Sequence, residues 1–188
     1  GRTPSLDPLP CSYTDIVEKE LDVQHRAVAA EDLEYWVAHL RGVPTVIELP
    51  TDHERPRVQR FRGRSEEFLV PEELTRQVAE FGRQHRATPF MVLLAAYQVL
   101  LYRMTGQEDF VVGIPVANRD DEASASIIGF FANTLPVRAD LSGQPSFSDV
   151  LARVRDTCLS AYAHPHVPFD ELVEVLAPER DLSRSPLL

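Results

Sequence analysis

An Asn-Thr pair, Asn133-Thr134, interrupts the apolar run IIGFFANTLPVR between Ile127 and Arg138. The run otherwise reads as a buried strand, and a buried amide left without partners costs roughly 1–3 kcal/mol. Whatever encloses this segment must therefore supply a polar network for Asn133 or leave its amide facing something that binds. A capped strand end and a binding wall are both open on this segment alone.

The surrounding pattern places that run in a layered fold. Leu33, Trp36, Val37 and Leu40 recur at i, i+3, i+4 and i+7, the spacing of a helix with one buried face, and Gly42 closes it. Pro71 suits a first helical turn, with Leu74, Val78 and Phe81 marking the inner side. Thr88 caps a helix that begins at Pro89, and the stretch Phe90 to Leu101 is apolar on almost every side, which predicts burial all round. DFVVGIPV, from Asp109 to Val116, reads as an interior strand. The polar loop NRDDEASAS then leads into a second strand, predicted over Ile127 to Asp140. Ser146 with Asp149 forms a weak capping box, followed by a helix whose inner face carries Phe147, Val150, Leu151, Val154, Cys158 and Ala161. Pro168 opens a short helix, FDELVEVL. Helices alternating with strands in this way predict an α/β domain with helices covering a mixed sheet. Residues 1–30, with Pro4, Pro8 and Pro10, read as a lead-in, and Val43 to Arg64 as a surface connector whose arginines are solvated.

Composition narrows the function classes. At 188 residues, 44% hydrophobic and 26% charged, the chain suits one domain with a sizeable core. Acids outnumber bases 29 to 19, for a net charge of -10, which argues against nucleic acid as a partner. No apolar run approaches the roughly 18 residues of a membrane span, and the start lacks a signal-peptide pattern. These features predict a soluble, cytoplasmic chain with no membrane partner. The two cysteines, Cys11 and Cys158, support neither a disulfide framework nor a zinc site, and Cys158 reads as core filler. His164 and His166 form an H-x-H pair, but two ligands alone make a poor metal site.

Three motifs follow one another in the order IIGFFANTLPVR, HPHVPFDELV (His164 to Val173) and ERDLSRSPLL (from Glu179). Together they resemble the I-G-x-F-x-N-T-x-x-x-R, H-x-x-x-P-F-[ED] and R-D-x-S-R-x-P-L motifs of the condensation domains of nonribosomal peptide synthetases. SYTDIVEKE, with Tyr13 and Asp15, partly matches that family's Y-x-D segment, and GIPVANR, Gly113 to Arg119, its G-x-P-x-x-x-R stretch. The resemblance implies one of two chloramphenicol-acetyltransferase-like lobes that flank a tunnel. It also implies acyl transfer, in which the amine of a tethered aminoacyl group attacks a donor thioester. No cofactor would be bound directly, because the substrates arrive on the phosphopantetheine arms of carrier proteins. The implied partners are the amino-terminal lobe of the condensation domain, peptidyl carrier proteins and an adjacent adenylation domain.

The family's H-H-x-x-x-D-G motif, whose second His is placed at the reaction centre, lies a few tens of residues before the Y-x-D segment. None of the six histidines here is adjacent to another, and the chain opens at Gly1 close to Tyr13. Residues 1–188 are therefore expected to form the second, carboxyl-terminal lobe, with no catalytic residue of its own. Asn133 is the residue expected to face the tunnel, either orienting substrate or bracing the neighbouring strand. Gly129, Ile114 and Arg119 are carried over with it as substrate-binding candidates, although many relatives have Ser or Thr at the position of Ile114. At His166 an acid is common in relatives. Arg180, Asp181 and Arg184 are expected to form a structural clamp. Two other readings remain: a non-catalytic docking platform inside a synthetase, and the matching lobe of an epimerization or heterocyclization domain.

Overall fold

Two antiparallel strands, β1 (Asp109–Val116) and β2 (Asn133–Asp140), make the sheet in the computed structural model, which describes residues 8–119, 122–176 and 181–187. Their register runs without a bulge from Asp109 opposite Asp140 to Val116 opposite Asn133. The sequence pattern suggests a mixed sheet; among the described residues it is this antiparallel pair. Pro115 and Pro136 both lie within it, which is tolerated because in a two-stranded sheet each strand is an edge and can leave one row of donors unused.

Helices α1 (Tyr13–Glu20) and α2 (Val23–His39) precede the sheet, followed by α3 (Glu72–Gln84) and α4 (Pro89–Thr105). A short α5 (Glu122–Ala125) sits between the strands, and α6 (Phe147–Tyr162) and α7 (Phe169–Leu176) come after them. Local chemistry sets the helix ends. The Thr88 hydroxyl accepts from the Met91 N–H at 3.3 Å at the start of α4, and Gly106, at φ +74°, ends it. The Ser146 hydroxyl accepts from the Asp149 N–H while the Asp149 carboxylate accepts from the Ser146 N–H, the reciprocal box expected for α6. Gly42, at φ +71°, turns the chain away after α2. Pro71 precedes α3 as its cap residue rather than opening the first turn.

α6 lies on β2 and against α4, α3 packs on α4, and α7 on α2 and β2. Trp36, Phe110, Leu135, Leu151, Leu172 and Cys158 fill the space between them. α3 is less embedded than its pattern suggests, with Val78 and Phe81 only partly buried and Leu74 exposed. α4 departs further from expectation. Met91, Val92, Leu94, Ala95, Gln98 and Leu101 are buried, yet Phe90, Leu93, Tyr97, Leu100 and Met104 face outward. The five outward residues fall at i, i+3, i+7, i+10 and i+14, so they form one apolar stripe on the side away from α3 and α6. Of the connector expected over Val43 to Arg64, residues 51–64 are exposed, but Val43 is buried and Ile47 and Leu49 pack against the core, so the surface run begins only after them. No single helix among the described residues is long and apolar enough to cross a membrane. Pro4, Asp120, Asp121 and Arg180 lie outside the described residues.

Candidate functional site

Asn133 opens β2, and its amide is fully engaged. Nδ2 donates to the carbonyl oxygens of Val167 at 2.8 Å and Pro165 at 3.3 Å. Oδ1 accepts from the N–H of Thr134 at 2.8 Å and of Phe169 at 3.1 Å. One side chain thereby joins the first strand residue to the HPHVPF loop and to the first residue of α7. The oddity in the sequence is resolved as a local polar network. Of the two roles open to Asn133, bracing is the one its hydrogen bonds display.

The segment before Asn133 is not strand, and the reason lies in Arg119. Its guanidinium donates to the carbonyl oxygens of Ser124, of Ile127 at 2.9 Å and of Gly129 at 3.3 Å, and it stacks over the Phe131 ring at 4.1 Å. Those carbonyls are thus withdrawn from any ladder, which corrects the predicted strand start from Ile127 to Asn133. Tyr13, from the YTD segment, closes the same loop from outside: its hydroxyl donates to the Phe130 carbonyl at 3.0 Å, and its ring meets Phe131 edge-on at 5.3 Å. Gly129 makes this approach possible, since a Cβ there would lie 2.5 Å from the Tyr13 ring. Asp15 is used locally, in a capping box with Ser12 at the start of α1.

The HPHVPF loop is held from α2. The His164 ring stacks on Tyr35 with centroids 3.8 Å apart, and its carbonyl accepts from the Trp36 Nε1–H at 2.9 Å. His166 is tied twice to Asp32, through its backbone N–H at 3.0 Å and its Nδ1 at 2.9 Å. Asp32 is only 4% exposed, one turn before Trp36 on the buried face of α2. This pair escapes sequence inspection because 134 residues separate its members. The signal that could have exposed it is an acid four residues before a core tryptophan.

These braces enclose a cavity of about 830 Å³ between α2, the Phe130–Thr134 segment and the start of α7. Leu33, Phe130, Phe131 and Phe169 supply apolar wall; Asn133, Thr134, His166, Arg26, Asp170 and Glu171 supply polar wall. Of the four candidates from the sequence, Asn133 borders this cavity. Ile114 is instead a buried core residue, and Gly129 and Arg119 shape the loop behind the wall. A second cavity, about 640 Å³, opens at the far end of the sheet, where four of its charges are paired: Arg138 holds Asp109 through two bonds of 2.8 and 2.7 Å, and Arg153 approaches Asp140 at 3.4 Å. Arg138 also donates to the His39 carbonyl at 2.9 Å, tying the motif's last residue to the carboxyl end of α2.

The remaining motif packs on the connector. Asp181 accepts from the Ser183 N–H at 2.8 Å and lies 3.4 Å from Arg184, which also reaches Glu48 at 3.7 Å; Gln59 donates its N–H to the Leu182 carbonyl at 2.9 Å. Of the expected clamp, Asp181 and Arg184 make this pair, and Arg180 lies outside the described residues. Cys158 is fully buried, and that burial pushes its thiol up to about 11, a value that suits core filler and not a nucleophile. No three His, Cys, Asp or Glu side chains converge to hold a metal ion among the described residues.

Comparisons with known proteins agree with the motifs. The family model described as the condensation domain matches residues 1–188. A linear gramicidin synthase polypeptide of Brevibacillus parabrevis is 46% identical over 187 residues, which is 100% of this chain and 2% of that polypeptide. Among solved structures, the X-domain from teicoplanin biosynthesis, in its complex with OxyB, matches with a TM-score of 0.88 and 30% identity, covering 100% of this chain and 42% of that one. A four-domain nonribosomal peptide synthetase bound to AMP and glycine matches with a TM-score of 0.81 and 28% identity, covering 84% of this chain and 12% of that one. The chain therefore spans a small fraction of its synthetase relatives and under half of the X-domain chain. With its three motifs, its α/β lobe and a match along its whole length, the chain belongs to the condensation-domain family, and its fold is that family's chloramphenicol-acetyltransferase-like one.

Proposed function

We propose that this chain is the carboxyl-terminal lobe of an amide-forming condensation domain, and that it supplies a binding wall rather than the proton-transfer machinery. The observation that carries this is the cavity of about 830 Å³, whose wall is assembled by four of the family's motifs at once: Tyr13 and Arg119 set the Phe130–Phe131 loop, and Asn133 locks that loop to HPHVPF. A wall so thoroughly braced is preorganised, which is what holding a tethered acyl or aminoacyl group in line for attack demands. Proton transfer from the attacking amine needs a base, and the family assigns it to a His of H-H-x-x-x-D-G, a motif these 188 residues do not contain. The substrates would arrive on phosphopantetheine arms of peptidyl carrier proteins, with the amino-terminal lobe and an adenylation domain as covalent or docked neighbours.

Product formation from carrier-bound donor and acceptor tests this. The chain alone should give no amide above background, and addition of a lobe that carries H-H-x-x-x-D-G should restore it. Robust product from the chain alone would refute the division of labour. A docking role is favoured by one observation, the X-domain's complex with OxyB. It predicts binding to a neighbouring protein that survives substitution of cavity residues.

A further inference from the structure

The imidazole of His166 lines the same cavity, and its two nitrogens stand in different situations. Nδ1 and the backbone N–H both go to one oxygen of Asp32, whose side chain is buried. In the neutral ring, a carboxylate at 2.9 Å from Nδ1 favours the proton on that nitrogen and makes Nε2 the acceptor. The side chain is 44% exposed and lines the cavity while Nδ1 is held by Asp32.

We propose that His166, oriented by Asp32, is a substrate-binding residue whose Nε2 accepts a hydrogen bond from the amino group of an aminoacyl ligand in this cavity. This rests on the reading of the cavity as a substrate wall and specifies which substrate it takes. Asn133 cannot contribute, because its four hydrogen bonds are spent on the protein. The polar groups left to meet a ligand are His166, Thr134, Asn118, Asp170 and Glu171, with Arg26 as the cation among them. Two carboxylates against one guanidinium suit an ammonium better than a carboxylate or phosphate. Phe130, Phe131, Phe169 and Leu33 beside them suit an apolar side chain. The acceptor aminoacyl group, with its free amine, fits this wall; an N-acylated donor does not.

The probe is the amide analogue of phenylalanyl-pantetheine, compared with its N-acetylated form, titrated into the full chain and followed by NMR. The imidazole nitrogens of His166 give a readout that needs no substitution: the Nε2 resonance should move on saturation while Nδ1 stays. In His166→Asn the side-chain amide occupies the Nδ1 position, so the bond to Asp32 is kept and Nε2 is deleted; in His166→Gln the amide reaches the Nε2 position instead. Binding should weaken about tenfold in His166→Asn, about 1.4 kcal/mol, with an unchanged melting temperature. His166→Gln should recover part of it, and the N-acetylated probe should bind the native chain as weakly as the free-amine probe binds His166→Asn. Binding of the free-amine probe with an unmoved Nε2 resonance, or with equal affinity in His166→Asn, would overturn the assignment and leave the lobe's function standing. No shift at any cavity residue would overturn both.

Discussion

Asn133 shows how one side chain can organise a site without reaching into it. Asn133→Ala strands the Thr134 and Phe169 N–H groups and the Pro165 and Val167 carbonyls. Part of that loss goes to water because the residue is half-buried, so destabilisation should be about 2 kcal/mol. A urea unfolding midpoint that drops with an unchanged slope would show it. An Asn inside an apolar run was visible in the sequence as an anomaly; the partners that satisfy it, 32 to 36 residues away, were not. His39 gives a second residue-scale test. Burial, together with the Arg138 guanidinium nearby, holds its imidazole below the ordinary value of 6.5. As pH falls through that value the unfolded chain takes up the proton and the folded chain does not, so stability present above about pH 6.5 declines below it. His39→Gln should flatten the stability profile between about pH 7 and 5 relative to the native chain, and an identical slope in the two would count against this account.

At the scale of elements, features set by near neighbours are the legible ones. The Thr88-Pro89 start, the Ser146-Asp149 box and the Gly42 exit each depend on residues within a turn of one another, and each is found where the pattern puts it. The start of β2 depends instead on a guanidinium 5 to 10 residues upstream of the carbonyls it captures, and no periodicity encodes that. α4 shows the other limit. An apolar helix was expected to be enclosed, but its pattern does not say by what, and five of its large side chains are exposed. A stripe of this kind promotes association. Sedimentation at rising concentration should show the mass of the native chain increasing, and Leu93→Gln with Leu100→Gln should suppress the increase without lowering thermal stability, because neither residue packs in the core. A native chain that stays monomeric throughout would contradict this.

For the molecule as a whole, the motifs carry the family, and the structure explains why they travel together. YTD, GIPVANR, IGFFANT and HPHVPF are far apart in the chain, yet they meet through Tyr13, Arg119, Asn133 and His166 around one cavity. The order of the motifs was legible; their convergence was not, since Ile114, Gly129 and Arg119 looked like substrate contacts and are core and scaffold instead. The central claim is that a carrier-tethered aminoacyl group enters this cavity. Photo-crosslinking tests it most directly, with a carrier protein loaded with a diazirine-bearing aminoacyl pantetheine amide and the adducts mapped by mass spectrometry. The account predicts adducts within residues 130–134 and 165–171; adducts confined to the outer stripe of α4, or to the cavity at the Asp109–Asp140 end of the sheet, would contradict it.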